Sequence, residues 1–299
     1  MTSRAPSHSQ AFAVAGVGIA LFSIMDALMK GVSIAIGAYN AALWRALAGV
    51  VITGLVLIWR KPRWPPVAVL RLHGLRGAIS ALLVFLFFWG VARVPLAEGI
   101  ALSFIAPLIT LYLAVALLGE VVTRWSVVSS LCGLAGVGVI MMGRLGGPHS
   151  PEAVKGVIAI LISAVVYSYN LILQRQQARL AAPEESAFFG TAVMAVILLA
   201  FAPFLARPPP IAQVPAILGS AVFASAAFIT LSWAYARAEA RVLVVLEYTA
   251  FLWAALLGFV MFKEPVTLPT FAGAALIVLG CLVSAWHEHH HQPSAELGI

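Results

Sequence analysis

Two carboxylates stand inside apolar stretches of this chain, where a proton, a cation or an amine could bind them. Glu247 lies within the run 242–265, VLVVLEYTAFLWAALLGFVMFKEP, whose far edge carries a second carboxylate, Glu264. Asp26, the only aspartate among the 299 residues, lies within the first apolar run. An acid at the centre of a membrane helix costs about 2.5–3.5 kcal/mol on insertion scales, so it is tolerated where it faces protein or water. Glu247 has no basic residue three or four positions away. It is either a substrate or proton site facing a cavity, or a carboxyl neutralised by burial or reaching Arg237 or Arg241. Asp26 is either an amine or cation site, or the acid-first member of an i, i+4 pair with Lys30.

Other polar and aromatic groups lie at comparable depth. Tyr167-Ser168-Tyr169-Asn170 is a polar cluster inside an apolar run. Its members either line a cavity or hydrogen-bond between helices, and Tyr167 and Asn170 read as cavity residues. Ser103-Phe104 and Glu247-Tyr248 each set a polar group beside an aromatic ring. Trp89 and Trp233, each four residues before an arginine, are interfacial anchors or the aromatic walls of a cavity, with Phe85, Phe88 and Phe228 nearby. Pro107, inside an apolar run, removes a backbone hydrogen bond and marks a hinge. No nucleophile–base pair and no His/Cys metal-ligand spacing appears, and His73 is the one histidine near a span. No catalysis, metal or cofactor is expected, and the tail HEHHHQ (287–292) reads as a solvated end.

Membrane helices must position these groups. The chain is 62% hydrophobic and 10% charged, with mean hydropathy +1.02, whereas soluble domains carry about 25% charged residues. Long apolar runs without strand-like alternation favour helices over a barrel. They fall at about 11–36, 40–59, 73–94, 97–118, 125–142, 153–173, 186–206, 214–236, 241–262 and 268–286, predicting ten transmembrane helices. The net charge of +7 comes from residues in the short gaps, as expected of loops flanking membrane helices rather than of a nucleic-acid surface. Cys132 and Cys281 lie inside apolar runs, against a disulfide framework, and no cleavable signal peptide is evident.

An offset of 144 residues superposes the two halves without a gap. Trp89 falls on Trp233, Arg93 on Arg237, Glu120 on Glu264 and Gly136 on Gly280, while Asp26 meets Asn170 and Ser103 meets Glu247. Chance matches are common for Ala and Leu in such a composition but not for Trp, Arg and Glu. The expected fold is all-α: two five-helix repeats, 1–144 and 145–288, and a tail, 289–299. An odd number of helices per repeat inverts the second copy, with a central cavity between the two. Phe251 occupies the place of Pro107, so only the first copy is expected to have the hinge. Alternate loops and the N-terminus carry eleven basic residues against six opposite, with Arg45 just inside the second helix, which predicts cytoplasmic termini. The Gly-rich stretch 131–143 suits close helix packing or a dimer face.

The stretches AALWRALAG (41–49) and GIALSFIAPLITLYLAVALLGE (99–120), Gly133 with Gly136, and the second-half run from Val245 to Thr267 with Gly273 and Gly280 resemble the duplicated EamA-type unit of the drug/metabolite transporter superfamily. The resemblance covers nearly the whole chain. It implies a ten-helix carrier in which helices 1, 3, 4, 6, 8 and 9 surround a cavity and 2, 5, 7 and 10 brace it. Lys263-Glu264 departs from the family's usual Gly-Glu, which sets a common role for Glu120 and Glu264 in question. The expected function is secondary transport across the bacterial cytoplasmic membrane by alternating access, foremost export of aromatic or hydrophobic amino acids. The alternatives are import of a vitamin or nucleobase-like compound and, in another class, an intramembrane enzyme. The expected partners are a small-molecule substrate and the lipid bilayer, with a proton as a coupling ion, no nucleic acid, and a monomeric or homodimeric state. The substrate residues are Asp26, Trp89, Ser103, Phe104, Tyr167, Asn170, Phe228, Trp233, Glu247 and Tyr248.

Overall fold

The computed structural model describes residues 8–60, 64–118, 124–145, 151–235 and 247–290, and every regular element among them is helical. The first half contains α1 (His8–Ile36), α2 (Ala38–Trp59), α3 (Val67–Val91), α4 (Leu96–Ser103), α5 (Ile105–Leu118) and α6 (Arg124–Leu145). The second contains α7 (Pro151–Ala178), α8 (Pro183–Ala200), the single turn α9 (Ala202–Leu205), α10 (Val214–Tyr235), α11 (Ala250–Phe262) and α12 (Leu268–His290). Prolines punctuate these apolar runs. Pro66 and Pro95 cap α3 and α4, and Pro151 and Pro183 open α7 and α8, where a missing N–H costs nothing. Because Pro66 starts α3, the helix begins at Val67 rather than near His73, and it takes in Arg71, His73 and Arg76.

Six described helical segments are long and apolar enough to cross a membrane, and four shorter apolar segments accompany them. Val51, Leu55 and Ile58 on α2, and Leu252, Leu256 and Phe259 on α11, are exposed at helical spacing. Those apolar outer stripes suit lipid rather than water.

Helices pair closely where side chains are small. α6 lies along α12, α1 along α10 and α3 along α7, while α2 faces α8. At the α6–α12 crossing, a Cβ on Gly136 would stand 2.5 Å from the carbonyl oxygen of Gly273, and one on Gly273 equally close to that of Gly136. The glycine-rich stretch thus packs α6 against α12, as small residues do where apolar burial gives no drive between helices in lipid.

The run 97–118 is two helices. α4 ends at Ser103, a turn follows at Phe104, and α5 continues from Ile105. Pro107 explains the break, since it cannot donate to the carbonyl of Ser103 and its ring crowds that carbonyl. The second half departs from expectation. A turn at Tyr248–Thr249 precedes α11, although Phe251 stands where the first copy has proline. A turn thus stands at equivalent places, Phe104 and Tyr248, in both halves, and the second has no proline beside it.

One charged group joins three helices. Lys30, buried on α1, pairs with Glu264 and donates to the carbonyl of Val94 at 2.6 Å. The other oxygen of Glu264 accepts the N–H of Leu96 at 2.8 Å, satisfying a free donor in the first turn of α4. The expected Asp26–Lys30 pair thus gives way to a tie across the bundle. Glu264 holds its place because α11 ends in a Schellman turn: its N–H bonds Gly258 O at 3.1 Å, and Lys263 N–H bonds Phe259 O at 3.0 Å. Lys263 adopts φ 57°, the left-handed conformation that glycine takes without penalty. The departure from Gly-Glu therefore leaves the shape of the turn intact. Glu120, the repeat mate of Glu264, lies outside the described residues.

Lys263→Gly should stabilise the protein by ~1 kcal/mol, the left-handed penalty less glycine's entropy cost, read as a higher unfolding temperature in one detergent. Lys30→Met should destabilise by roughly 2–4 kcal/mol, somewhat below the range for a fully buried pair because Glu264 is 22% exposed. The double variant Lys30→Met/Glu264→Met should recover most of that loss in the same measurement.

Candidate functional site

A cavity of ≈190 Å³ opens between α1, α2, α3, α8 and α10. Apolar and aromatic groups contribute Phe22, Val84, Met194 and Phe228, and hydroxyls come from Thr53, Ser80, Ser186, Thr191 and Ser225. Its two charged lining residues are Arg45 of α2 and Arg76 of α3. Helices 2 and 7 of the family arrangement, here α2 and α8, thus line the cavity and do more than brace it. Small residues make the room: Gly49 of α2 and Gly190 of α8 both face it.

Each arginine is held from behind. Arg45 lies within electrostatic reach of Asp26 on α1. Arg76 donates through Nη1 to the side-chain carbonyl of Gln177 on α7, and its own backbone carbonyl accepts the amide of Asn170 at 3.4 Å. The Nε atoms of both arginines are buried and have no hydrogen-bond partner. Guanidinium groups stay protonated in proteins, so these are permanent charges inside an apolar bundle.

Behind Arg76 runs a buried polar chain. Gln177, buried, bonds His73 Nδ1, and His73 Nε2 lies 3.0 Å from Glu185 of α8. The His73 ring stacks on Phe189 with centroids 4.9 Å apart. Carboxylate, imidazole, amide and guanidinium thus follow one another from α8 through α3 to the cavity wall.

The residues singled out in the sequence divide among three places. Phe228 lines the cavity. Asp26 stands next to Arg45. Tyr167, 39% exposed on α7 and not among the cavity-lining residues, lies within electrostatic reach of Arg76, Asp26 and Glu247. Asn170 is buried and donates to Ser80 Oγ at 2.9 Å, so it joins α7 to α3 beside the cavity. Ser168 donates to the carbonyl of Ala106 at 2.9 Å, across to α5 just before Pro107.

A second group meets at the helix breaks. Phe104 and Tyr248 pack edge to face, with centroids 5.2 Å apart and planes at 90°. Ser103 turns its hydroxyl back onto Gly99 O at 2.9 Å. Glu247, on the turn before α11, is exposed, and Arg237 and Arg241 lie outside the described residues. Trp89 and Trp233 stand apart from the cavity lining. The Trp89 ring carries the Arg93 guanidinium at 3.5 Å, and Arg93 pairs with Glu152 at 3.0 Å, an arrangement suited to an anchor at a helix end. Trp233 packs with Ala15 and Ala234 at the far end of α1.

Sequence reasoning passed over Arg45, Arg76, Gln177 and the His73–Glu185 pair. Arg45 carried a usable signal, a full charge inside an apolar run, but was read as part of a charge count. Arg76, inside the expected run 73–94, was likewise read only as part of that count.

The EamA-like transporter family model matches residues 11–142 and again 154–286. The chain is 24% identical over 266 residues to the pseudopaline exporter CntI of Pseudomonas aeruginosa, covering 87% of this chain and 90% of that protein. It is 25% identical over 217 residues to an uncharacterized transporter of Helicobacter pylori, covering 70% and 72%. Over 123 residues it is 31% identical to the aromatic amino acid exporter YddG of Ancylobacter novellus, covering 41% and 40%. One crystal structure superposes with a TM-score of 0.66 at 24% identity, covering 97% of this chain and 100% of the other, a likeness of fold. With both halves matched by one family model, this chain belongs to the EamA-like transporter family, within the drug/metabolite transporter superfamily, and is a multi-pass membrane protein.

Proposed function

We propose that this chain is a secondary carrier that moves a small organic metabolite across the bacterial inner membrane by alternating access. The observation that carries the reading is the cavity walled by α2, α3, α8 and α10, in which aromatic, hydroxyl and guanidinium groups meet inside an apolar bundle. A scaffold has no use for such a group of polar residues, whose placement in hydrocarbon is costly.

The transport mechanism rests on an inverted duplication of ten spans, residues 1–144 and 145–288. Under the 144-residue offset, the α1–α10 pairing maps onto α7–α3, and α2–α8 maps onto itself. Phe104 and Tyr248, which are repeat mates, touch each other, as residues on a pseudo-twofold axis must. With the basic loops cytoplasmic, both termini face the cytoplasm. The Lys30–Glu264–Leu96 tie then closes the periplasmic end of the bundle, and the cavity opens towards the cytoplasm. The turns at Phe104 and Tyr248, the first beside Pro107, are the hinges on which the two units rock. Transport then breaks the tie at one end while closing the other.

Export of amino acids, with aromatic or hydrophobic side chains favoured, is the first reading of substrate and direction. Two of the relatives are named exporters, and one of them exports aromatic amino acids. Phe22 and Phe228 give the cavity an aromatic surface to match. Glu247, beside the second hinge and within reach of Tyr167, is the coupling site for a proton.

In proteoliposomes loaded with unlabelled solute, counterflow of at least one member of a panel of labelled amino acids, vitamins and nucleobases is expected. No counterflow across the panel would sink the carrier reading, and uptake of a vitamin or nucleobase alone would replace the amino-acid one. Glu247→Gln should leave counterflow intact and abolish the stimulation of flux by an imposed pH gradient. Stimulation equal to that of the unmodified protein would make Glu247 structural.

A further inference from the structure

The charges on the cavity wall are one-sided. Arg45 and Arg76 line it, and no lining residue among the described ones is acidic. Asp26 offsets Arg45 from behind. The group bonded to the Arg76 fork is the neutral amide of Gln177, and the phenol of Tyr167 is within its electrostatic reach. Glu185, the nearest carboxylate along the polar chain, bonds His73 instead. The cavity wall therefore carries close to one uncompensated positive charge, and both Nε–H groups are buried without an acceptor. A buried donor on a charged group is expensive to leave unmade, so the arrangement stands incomplete until an acceptor arrives.

On this basis, and resting on the carrier reading, we infer that Arg45 and Arg76 form an oxyanion site and that the transported solute is a small organic carboxylate. A carboxylate presents lone pairs in the plane that a guanidinium fork donates into. One net positive charge matches a monoanion better than a doubly charged phosphomonoester. A volume of ≈190 Å³ lies below the roughly 300–1,000 Å³ of drug-sized sites, so the carboxylate belongs to a compact molecule. Asp26, the amine site suggested by the sequence, is not among the cavity-lining residues, and its charge is offset by Arg45. An amino acid fits through its carboxylate, with its side chain against Phe22 and Phe228. Asn170 and Gln177 are positioning residues: they hold α3 and the Arg76 fork in place.

The test uses the full-length protein, purified in detergent, and ligand-induced thermal stabilisation. The probes are 3-phenylpropionate, its amide, phenethylamine, 2-phenylethylphosphonate, and the short carboxylates acetate to hexanoate. Stabilisation by at least one carboxylate, and none by the amide or the amine, is expected. Arg76→Gln should weaken that carboxylate's apparent affinity roughly 10- to 100-fold, the loss of one charge-assisted bond, with Arg76→Lys in between. Because Arg45→Gln leaves Asp26 without its counter-charge, it is paired with Asp26→Asn, and the double variant should lose carboxylate binding while keeping a monodisperse profile. Equal stabilisation by the amide or amine, stronger stabilisation by the phosphonate, or no response to any carboxylate would overturn the inference. Counterflow of neutral or cationic solutes that Arg76→Gln leaves unchanged would overturn it too while sparing the carrier reading. Absence of all counterflow would remove that reading, whatever binds in detergent.

Discussion

Hydrocarbon supplies no hydrogen bonds, so every polar group carried into this bundle must be answered by another, and the structure depends on how these answers are arranged. Lys30 shows the principle most fully. Its ammonium is removed from solvent and answered by the Glu264 carboxylate and the Val94 carbonyl, while Glu264 also takes the free N–H of Leu96. The result is a tie among α1, α4 and α11, parts of the chain far apart in sequence. Replacing such a tie with apolar side chains need not weaken a protein, whereas breaking it on one side does. Its value in a carrier would lie in being remade and broken as a unit.

The same accounting separates packing from function elsewhere. Asn170 and Ser168 reach across to α3 and α5 and complete bonds that fasten helices. His73 and Gln177 are satisfied within a chain that ends at Arg76. Arg45 and Arg76 break the pattern by leaving Nε unanswered on a cavity wall. Among the described residues only Ser33 Oγ joins them as a buried side-chain atom without a hydrogen-bond partner, and it lies outside the cavity lining.

Interruptions of helical structure follow a parallel logic. Pro107 forces the turn at Phe104 through the missing bond to Ser103, yet the second half makes its turn at Tyr248 with phenylalanine at the equivalent place. The two rings that mark the turns lie against each other. Close backbone approach at Gly136 and Gly273 packs α6 tightly against α12, and α6 also meets the start of α5, where a Cβ on Gly133 would stand 3.0 Å from the Ile105 side chain.

Much of this was legible in the chain itself. Apolar length and scarcity of charge determine a helical membrane protein, because only a helix satisfies its own backbone in lipid. Trp, Arg and Glu matches at one offset, too costly to recur by chance, identify the duplicated family unit, and Pro107 located one helix break. What the chain did not reveal is which polar groups meet. An i, i+4 pair with Lys30 was one of two readings of Asp26, but Lys30 pairs with Glu264, just past the end of α11, and Asp26 lies within electrostatic reach of Arg45. Arg76 counted only among the basic residues flanking the helices, although it lies inside the run 73–94, and the packing of α3 beside α7 and α8 sets it on the cavity wall. Pairing of charges in a low-dielectric interior is settled by the crossing of helices remote in sequence. Apolar length and the repeat specify a duplicated membrane transporter, whereas the crossing of α2, α3, α8 and α10 puts Arg45 and Arg76 on the wall of one cavity.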